Sequence, residues 1–252
     1  GHYEEALELA EKYNVDIPDK LADKLIPERS KDTMKEQVRM GLLMRVGTHV
    51  QKRGNFQLAC KMFTQAKQKV KAVQSLLHSG DNQKIIQYAQ TARNSEVYVL
   101  AANFLQNSDW HNDPNLMKTI ITFYSKAKAY EQLSGFYDAC AQVEIDEYRD
   151  YSKALGAMRE AMKQLKKSEC SNKEDKVQML DKRINIIEEF VEARNLAQSD
   201  PNTMERMCSQ LLDYPNVESA IRVGDVFAQL IEHNYEKGDM QTAFSYLQAM
   251  KK

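Results

Sequence analysis

Apolar residues along this chain recur mostly at spacings of three and four, the period that places them on one face of an α-helix. Tyr3 to Tyr13 makes the first such run. Val15-Asp16-Ile17-Pro18 interrupts it, and a short helix follows to Leu25. Pro27 and Ser30 lead into a long helix from about Asp32 to Lys52, on which Leu43, Val46, Gly47 and Val50 share a face. The next helix carries Ala59, Phe63 and Ala66 and runs to about Val70, ahead of a short hairpin with Gly80-Asp81 as its turn. Val97, Leu100, Ala101, Phe104 and Leu105 mark a further amphipathic helix. Beyond the loop from Asn107 to Pro114, Asp113 is placed to cap a helix that opens on Pro114 and turns Met117, Ile120, Ile121 and Tyr124 inward. A long helix from Ala129 to Tyr148 comes next, and the polar stretch from Lys166 to Asp175 is predicted to be an exposed loop. Val177, Leu180, Ile184, Ile187 and Val191 fit either a short coiled-coil seam or packing against a neighbouring hairpin. Asp200-Pro201 and Tyr214-Pro215 bracket a short helix, and Val223, Val226, Phe227, Leu230 and Ile231 mark the last long one. No segment alternates with a period of two for long enough to predict a sheet.

A small signature recurs on this helical background: Gly, any residue, an aromatic or large apolar residue, two residues, Ala. It stands at Gly1-Tyr3-Ala6, Gly54-Phe56-Ala59 and Gly238-Met240-Ala243 and, with Arg in place of Gly, at Arg149-Tyr151-Ala154. Each copy falls where one helix ends, the chain turns tightly and a second helix starts, the middle of a helical hairpin of the tetratricopeptide type. In the clearest copy Gly54 takes the left-handed turn position, and small residues let two backbones approach while Phe63 fills the space between them. The copies at 149–161 and 238–250 carry Ala154, Met158, Ala161 and Ala243, Leu247, Met250 at the same spacing. The intervals between copies are uneven and are not multiples of the regular repeat of about 34 residues. The predicted fold is therefore all-α, a right-handed α-solenoid of tetratricopeptide-like hairpins of unequal length. It is read as one segment over 1–252, with first hairpins in 1–70, middle hairpins in 71–168 and C-terminal hairpins in 169–252. The opening helix lacks its hairpin partner, which predicts a piece of a longer chain.

Composition narrows the function classes. With 9 Gly and 5 Pro in 252 residues, long loops are few. The longest apolar run, Val97 to Ala102, is far below a membrane span, and no basic segment followed by an apolar stretch marks a signal peptide. The 4 cysteines, Cys60, Cys140, Cys170 and Cys208, contain no Cys-x-x-Cys pair, which argues against a zinc ribbon or a disulfide scaffold. A net charge of -1 gives no electrostatic footprint for nucleic acid.

Catalytic and metal-binding patterns are missing from the sequence. None of His2, His49, His78, His111 and His233 sits in a His-Glu-x-x-His pair. Asp109, His111, Asp113 and Asn115 alternate like calcium ligands but lack the Gly and the closing Glu such a loop requires. The acidic pairs Asp146-Glu147 and Glu188-Glu189 are adjacent on helices and point about 100° apart, so they are no preset dyads. Lys67, Lys69 and Lys71 read as a solvated face or, alternatively, a phosphate contact. No catalytic residue, cofactor or metal site is expected. Trp110, the only tryptophan, is the single candidate site residue: either a plug between hairpins or an interface anchor.

Longer strings add a family resemblance. Phe136 to Tyr151 reads FYDACAQVEIDEYRDY; Ala101-Ala102-Asn103-Phe104-Leu105-Gln106 and Asp109-Trp110 precede it, and Ile221-Arg222-Val223-Gly224-Asp225-Val226 and Thr242-Ala243 follow. Together they resemble the C-terminal solenoid of the intraflagellar transport protein 140 family, over nearly the whole chain and most closely from Val73 to Met250. The resemblance implies a longer protein with two WD-repeat propellers ahead of the solenoid. It implies a non-enzymatic scaffold in the intraflagellar transport A complex, serving retrograde ciliary transport and ciliary import of membrane-protein cargo. Implied partners are sister A-complex subunits and membrane-protein cargo or its adaptors, with no nucleic acid and no membrane insertion. The implied location is the cytoplasm and the cilium. A vesicle-coat solenoid and a helical-repeat RNA binder are the alternative readings.

Overall fold

The computed structural model describes residues 2–251, so the Gly1 of the first signature lies outside the described residues. Fourteen α-helices and no strand occur among them. They divide into two compact units, Gly1–Lys128 and Ala129–Lys252. The first contains α1 (Tyr3–Lys12), α2 (Asp19–Leu25), α3 (Thr33–Lys52), α4 (Phe56–Gln65), α5 (Lys69–Ser79), α6 (Asn82–Ala92), α7 (Ser95–Leu105) and α8 (Pro114–Ala127). The second contains α9 (Tyr130–Val143), α10 (Tyr151–Lys167), α11 (Lys173–Leu196), α12 (Pro201–Leu212), α13 (Val223–Glu236) and α14 (Met240–Met250). From α3 onward, each helix packs mainly on its neighbours in sequence within its unit, and α7 also reaches back to α5. This is the packing of stacked helical hairpins.

The turns follow one chemical rule. Gly54, Lys67, Gly80, Arg93, Lys128, Arg149 and Gly238 all have φ between +46° and +83°. Each is followed at once by the N-cap of the next helix. Five of those caps, Asn55, Asp81, Asn94, Asp150 and Asp239, accept a backbone N–H from the first turn of the helix they start. At three turns the cap residue's own N–H reaches back to close the preceding helix: Asn55 to the Val50 carbonyl (2.9 Å), Gln68 to Phe63 (2.8 Å) and Asp239 to Asn234 (2.9 Å). A C-terminal Schellman closure is thus fused to an N-cap within two residues. The signature decodes as left-handed residue, N-cap, an apolar residue at the first helical position and Ala at the fourth.

Close helix approach explains the small residues. A Cβ on Gly47 would sit 2.8 Å from Cε1 of Phe63, a ring that is 2% exposed, so α3 and α4 meet where no side chain fits. Ala59, Ala154 and Ala161 are fully buried for the same reason. One polar group is enclosed beside this contact. Arg39 donates to the Pro27 carbonyl (3.1 Å), Glu36 (3.2 Å) and Gln65 (3.2 Å), tying the segment before α3 to both helices of the hairpin.

Several local expectations shift. The helix after Gly54 ends at Gln65, not near Val70, because Lys67 supplies a further left-handed turn; Lys67, Lys69 and Lys71 therefore straddle a turn, with Lys69 Nζ donating to the Ala92 carbonyl (2.7 Å). Half of the polar stretch 166–175 is helical, and only 168–172 connects α10 to α11, with Ser168 buried. On α8 the buried face is Leu116, Ile120, Phe123 and Tyr124, while Met117 and Ile121 are half-buried. Leu180, Ile184, Ile187, Phe190 and Ala193 form the buried face of α11, which packs on α10 and α12; the seam is hairpin packing. The helix expected to reach Tyr148 ends at Val143 and continues as a π-helical turn, Glu144–Tyr148. Its extra residue makes the Asp150 N–H reach Glu144, one residue further than the equivalent bond elsewhere.

Two outcomes follow. Gly47→Ala costs about 1–3 kcal/mol by overpacking, and combining it with Phe63→Leu recovers part of that loss in a urea-denaturation double-mutant cycle. Asp81, Asp150, Asp200 and Asp239 are held below the ordinary aspartate range by the N–H groups they cap, with the Thr203 side chain leading at Asp200. A lowered folded value means their stabilisation is whole above a pH of about 3.9 and is lost as pH falls through that range. Replacing all four by Asn, which still caps, makes the loss of helicity by circular dichroism less steep below that pH.

Candidate interaction surface

Helical hairpins expose their outer faces, so the candidate sites are surfaces. In the second unit, α11 is the longest helix, and the connection between α12 and α13 folds against it. Val217, Ala220 and Ile221 turn inward from that connection, while Tyr214, Pro215 and Asn216 stay outside. Arg183 fixes the arrangement. Its Nη1 donates to both carboxylate oxygens of Asp138 on α9 (2.8 and 3.0 Å), and its Nε donates to the Ser219 carbonyl (2.9 Å).

The space left between α11 and this connection is an open groove of about 630 Å³. One wall is the α11 stripe Met179, Lys182, Ile186 and Glu189; the other is Tyr214 and Pro215. Met179 is 68% exposed, a large share for an apolar side chain on a helix that is otherwise well packed. The Glu189 carboxylate holds the Tyr214 phenol above the ordinary tyrosine range, by hydrogen bonding first and charge second.

A second arrangement surrounds the π turn. Asp146 pairs with Arg222 and accepts from Gln142 (3.0 Å); these contacts outweigh partial desolvation and hold its carboxyl below the usual range. The Tyr151 hydroxyl donates to Asp225 (2.5 Å) and accepts the Arg222 N–H (3.2 Å), and burial followed by Asp225 raises its pKa strongly. Tyr151 also meets Phe190 edge-on (4.8 Å between ring centres), with the Arg194 guanidinium over both rings. The π turn is thereby bolted to the start of α13. Sequence reasoning missed this; the adjacent Asp146 and Glu147 read only as solvated helix surface. A third feature is the outer face of α14, where Phe244 is 59% exposed and no charged residue occurs from Met240 to Met250.

Trp110 lies in the first unit at 5% exposure, its ring stacked on His111 (3.8 Å between centres). The Trp110 backbone N–H donates to the Ser108 carbonyl (2.8 Å), and Asn82 donates to Ser108 Oγ (2.9 Å), fastening the loop to the start of α6. At this exposure little of the ring's area is open to solvent. Asp109 and Asp113 are occupied by Asn112 and by the α8 N-terminus.

No group of three His, Cys, Asp or Glu side chains among the described residues is placed to hold a metal ion. The cysteines are free thiols; burial pushes Cys140 up to about 12 and Cys208 up to about 11, far from a reactive thiolate. No helix among the described residues is long and apolar enough to cross a membrane.

Capped helical hairpins packed in sequence define a helical-repeat protein of the tetratricopeptide (TPR) class. Two family models divide the chain between them. The TPR domain of intraflagellar transport proteins 140 and 172 matches residues 1–123, and the C-terminal TPR domain of intraflagellar transport protein 140 matches residues 131–251. The chain belongs to the intraflagellar transport protein 140 family, and it is a scaffold-type TPR region related to intraflagellar transport.

Trp110→Ala is expected to destabilise the first unit by about 3–5 kcal/mol. In the unaltered protein, emission from this sole tryptophan is blue-shifted and poorly quenched by iodide; a red, fully quenchable emission would place the ring on the surface.

Proposed function

We propose that this chain is a non-enzymatic scaffold segment of the intraflagellar transport A complex. It docks sister subunits and, through them, serves retrograde ciliary transport and the import of membrane-protein cargo. The match to TPR models of the intraflagellar transport protein 140 family along nearly the whole length carries this reading. The architecture supports it: hairpins that hold their own cores leave outer faces free for partners, and unequal hairpins suit contacts with unlike subunits. Cargo or its adaptors are the further partners, and the cilium and its base are the location that this role requires. Affinity capture of the tagged chain from ciliated cells should enrich A-complex subunits over abundant ciliary proteins. Enrichment of vesicle-coat subunits or of RNA-binding proteins in their place would overturn the assignment.

A further inference from the structure

The second unit contains a single histidine, His233, near the end of α13. Its side chain is 12% exposed, and its Nε2 is buried with no hydrogen-bond partner among the described residues. Glu205 of α12 stands opposite, with Oε2 3.5 Å from that nitrogen. The carboxylate is held from its other side. Asn234, 1% exposed, donates from Nδ2 to Glu205 Oε1 (3.1 Å) and to the Leu230 carbonyl (2.9 Å). One carboxylate oxygen is thus satisfied, and the other faces the imidazole. Other charges around the pair are committed or turned outward. On α12, Arg206 and Asp213 are exposed, Asp200 caps the helix, and the Cys208 thiol meets Met204 Sδ (3.8 Å). From Met240 to Met250, α14 carries no charge, and its Tyr246 hydroxyl meets Ser209 Oγ (3.4 Å). On α13, Glu232, Tyr235 and Glu236 are exposed; beyond it Lys237 is exposed and Asp239 caps α14. Asp225, with Arg149 and Tyr151 against it, lies about 12 Å along the helix from His233.

We propose that His233 and Glu205 form a proton-operated clasp between α12 and α13. With the ring neutral, the buried Nε2 is either a bare acceptor facing a carboxylate or a donor at stretched range, and the pair holds weakly. When the ring takes up a proton, both of its nitrogens carry hydrogen. Nε2–H then closes on Glu205 Oε2 as a charge-assisted hydrogen bond, a type that settles at about 2.7–2.9 Å. The two side chains are 12% and 25% exposed, so solvent screens this pair less than an open surface pair. Imidazole is the side chain that changes charge between about pH 5 and 8, where carboxylates ordinarily stay ionised. Protonation strengthens a contact that only the folded chain makes. The clasp is therefore closed on the acid side of the imidazole transition and is lost as pH rises through it. The aspartate caps of α12 and α14 respond in the opposite sense and lower down, weakening only as pH falls through about 3.9. The two effects occupy separate pH windows. This device sits inside the second unit and does not depend on the transport role.

The test is amide hydrogen exchange on the whole chain at pH 7.5 and pH 5.5, read as protection factors corrected for intrinsic exchange. Amides of α12 and α13 around Glu205 and His233 should gain protection roughly tenfold at the lower pH, the scale of one charge-assisted hydrogen bond. Amides of the α9–α10 hairpin, which contains no histidine, should change little. His233→Gln and Glu205→Gln keep size and hydrogen-bonding capacity and remove one charge each, so either should abolish the gain. A gain that survives either substitution would overturn the proposal. The unaltered chain decides the matter even where a variant fails to fold: protection that is flat between the two pH values, or a gain shared equally by α9 and α10, removes the clasp.

Discussion

The structure depends on a two-residue turn. One residue takes the left-handed conformation and closes the helix behind it, and the next caps the helix ahead. Because both events fall on adjacent residues, the chain passes from one helix to the next with almost no loop to spend ordering entropy on. The first helical position then carries Phe56, Tyr151 or Met240, and the fourth carries alanine where the backbones converge. Gly54 and Gly238 occupy the left-handed position without steric cost, whereas Arg149 does so against its intrinsic preference. What holds Arg149 there is tertiary: its carbonyl accepts from Arg194, and its side chain reaches the Ile145 carbonyl and lies near Asp225.

Local closure of this kind decides where chemistry and surface fall. N-cap aspartates are committed to backbone donors, arginines such as Arg39 and Arg183 are committed to joining helices, and three of the four thiols lie inside. On the outside stand the exposed Met179 and the uncharged face of α14. The family models place this chain among the scaffold-type TPR regions related to intraflagellar transport.

Much of this was legible in the sequence, because helix periodicity and turn residues are local signals. Gly80-Asp81, Asp113-Pro114 and Asp200-Pro201 mark their boundaries directly, and the long strings from Phe136 onward point to the family. Non-local features were not legible. Lys67, Arg93 and Lys128 carry no mark of the left-handed turns they make, since a lysine or arginine there looks like any surface residue. The π turn at Glu144–Tyr148 is tied to the start of α13 through the Asp146–Arg222 pair, a contact between distant residues that no spacing rule encodes. The groove beside Met179 was hidden for the same reason: its two walls come from Met179–Glu189 and Tyr214–Pro215, segments separate in sequence and brought together by Arg183. Trp110 was visible as a singular residue, while its burial against His111 depended on how the loop folds back.

The docking role is tested most directly by cross-linking mass spectrometry on the intraflagellar transport A complex purified with this chain in place. Lysines on the outer faces, Lys182 among them, should form cross-links to sister subunits. If Lys182 and the other outer-face lysines link only to their own chain while sister subunits cross-link normally among themselves, the claim that these faces are docking surfaces is contradicted.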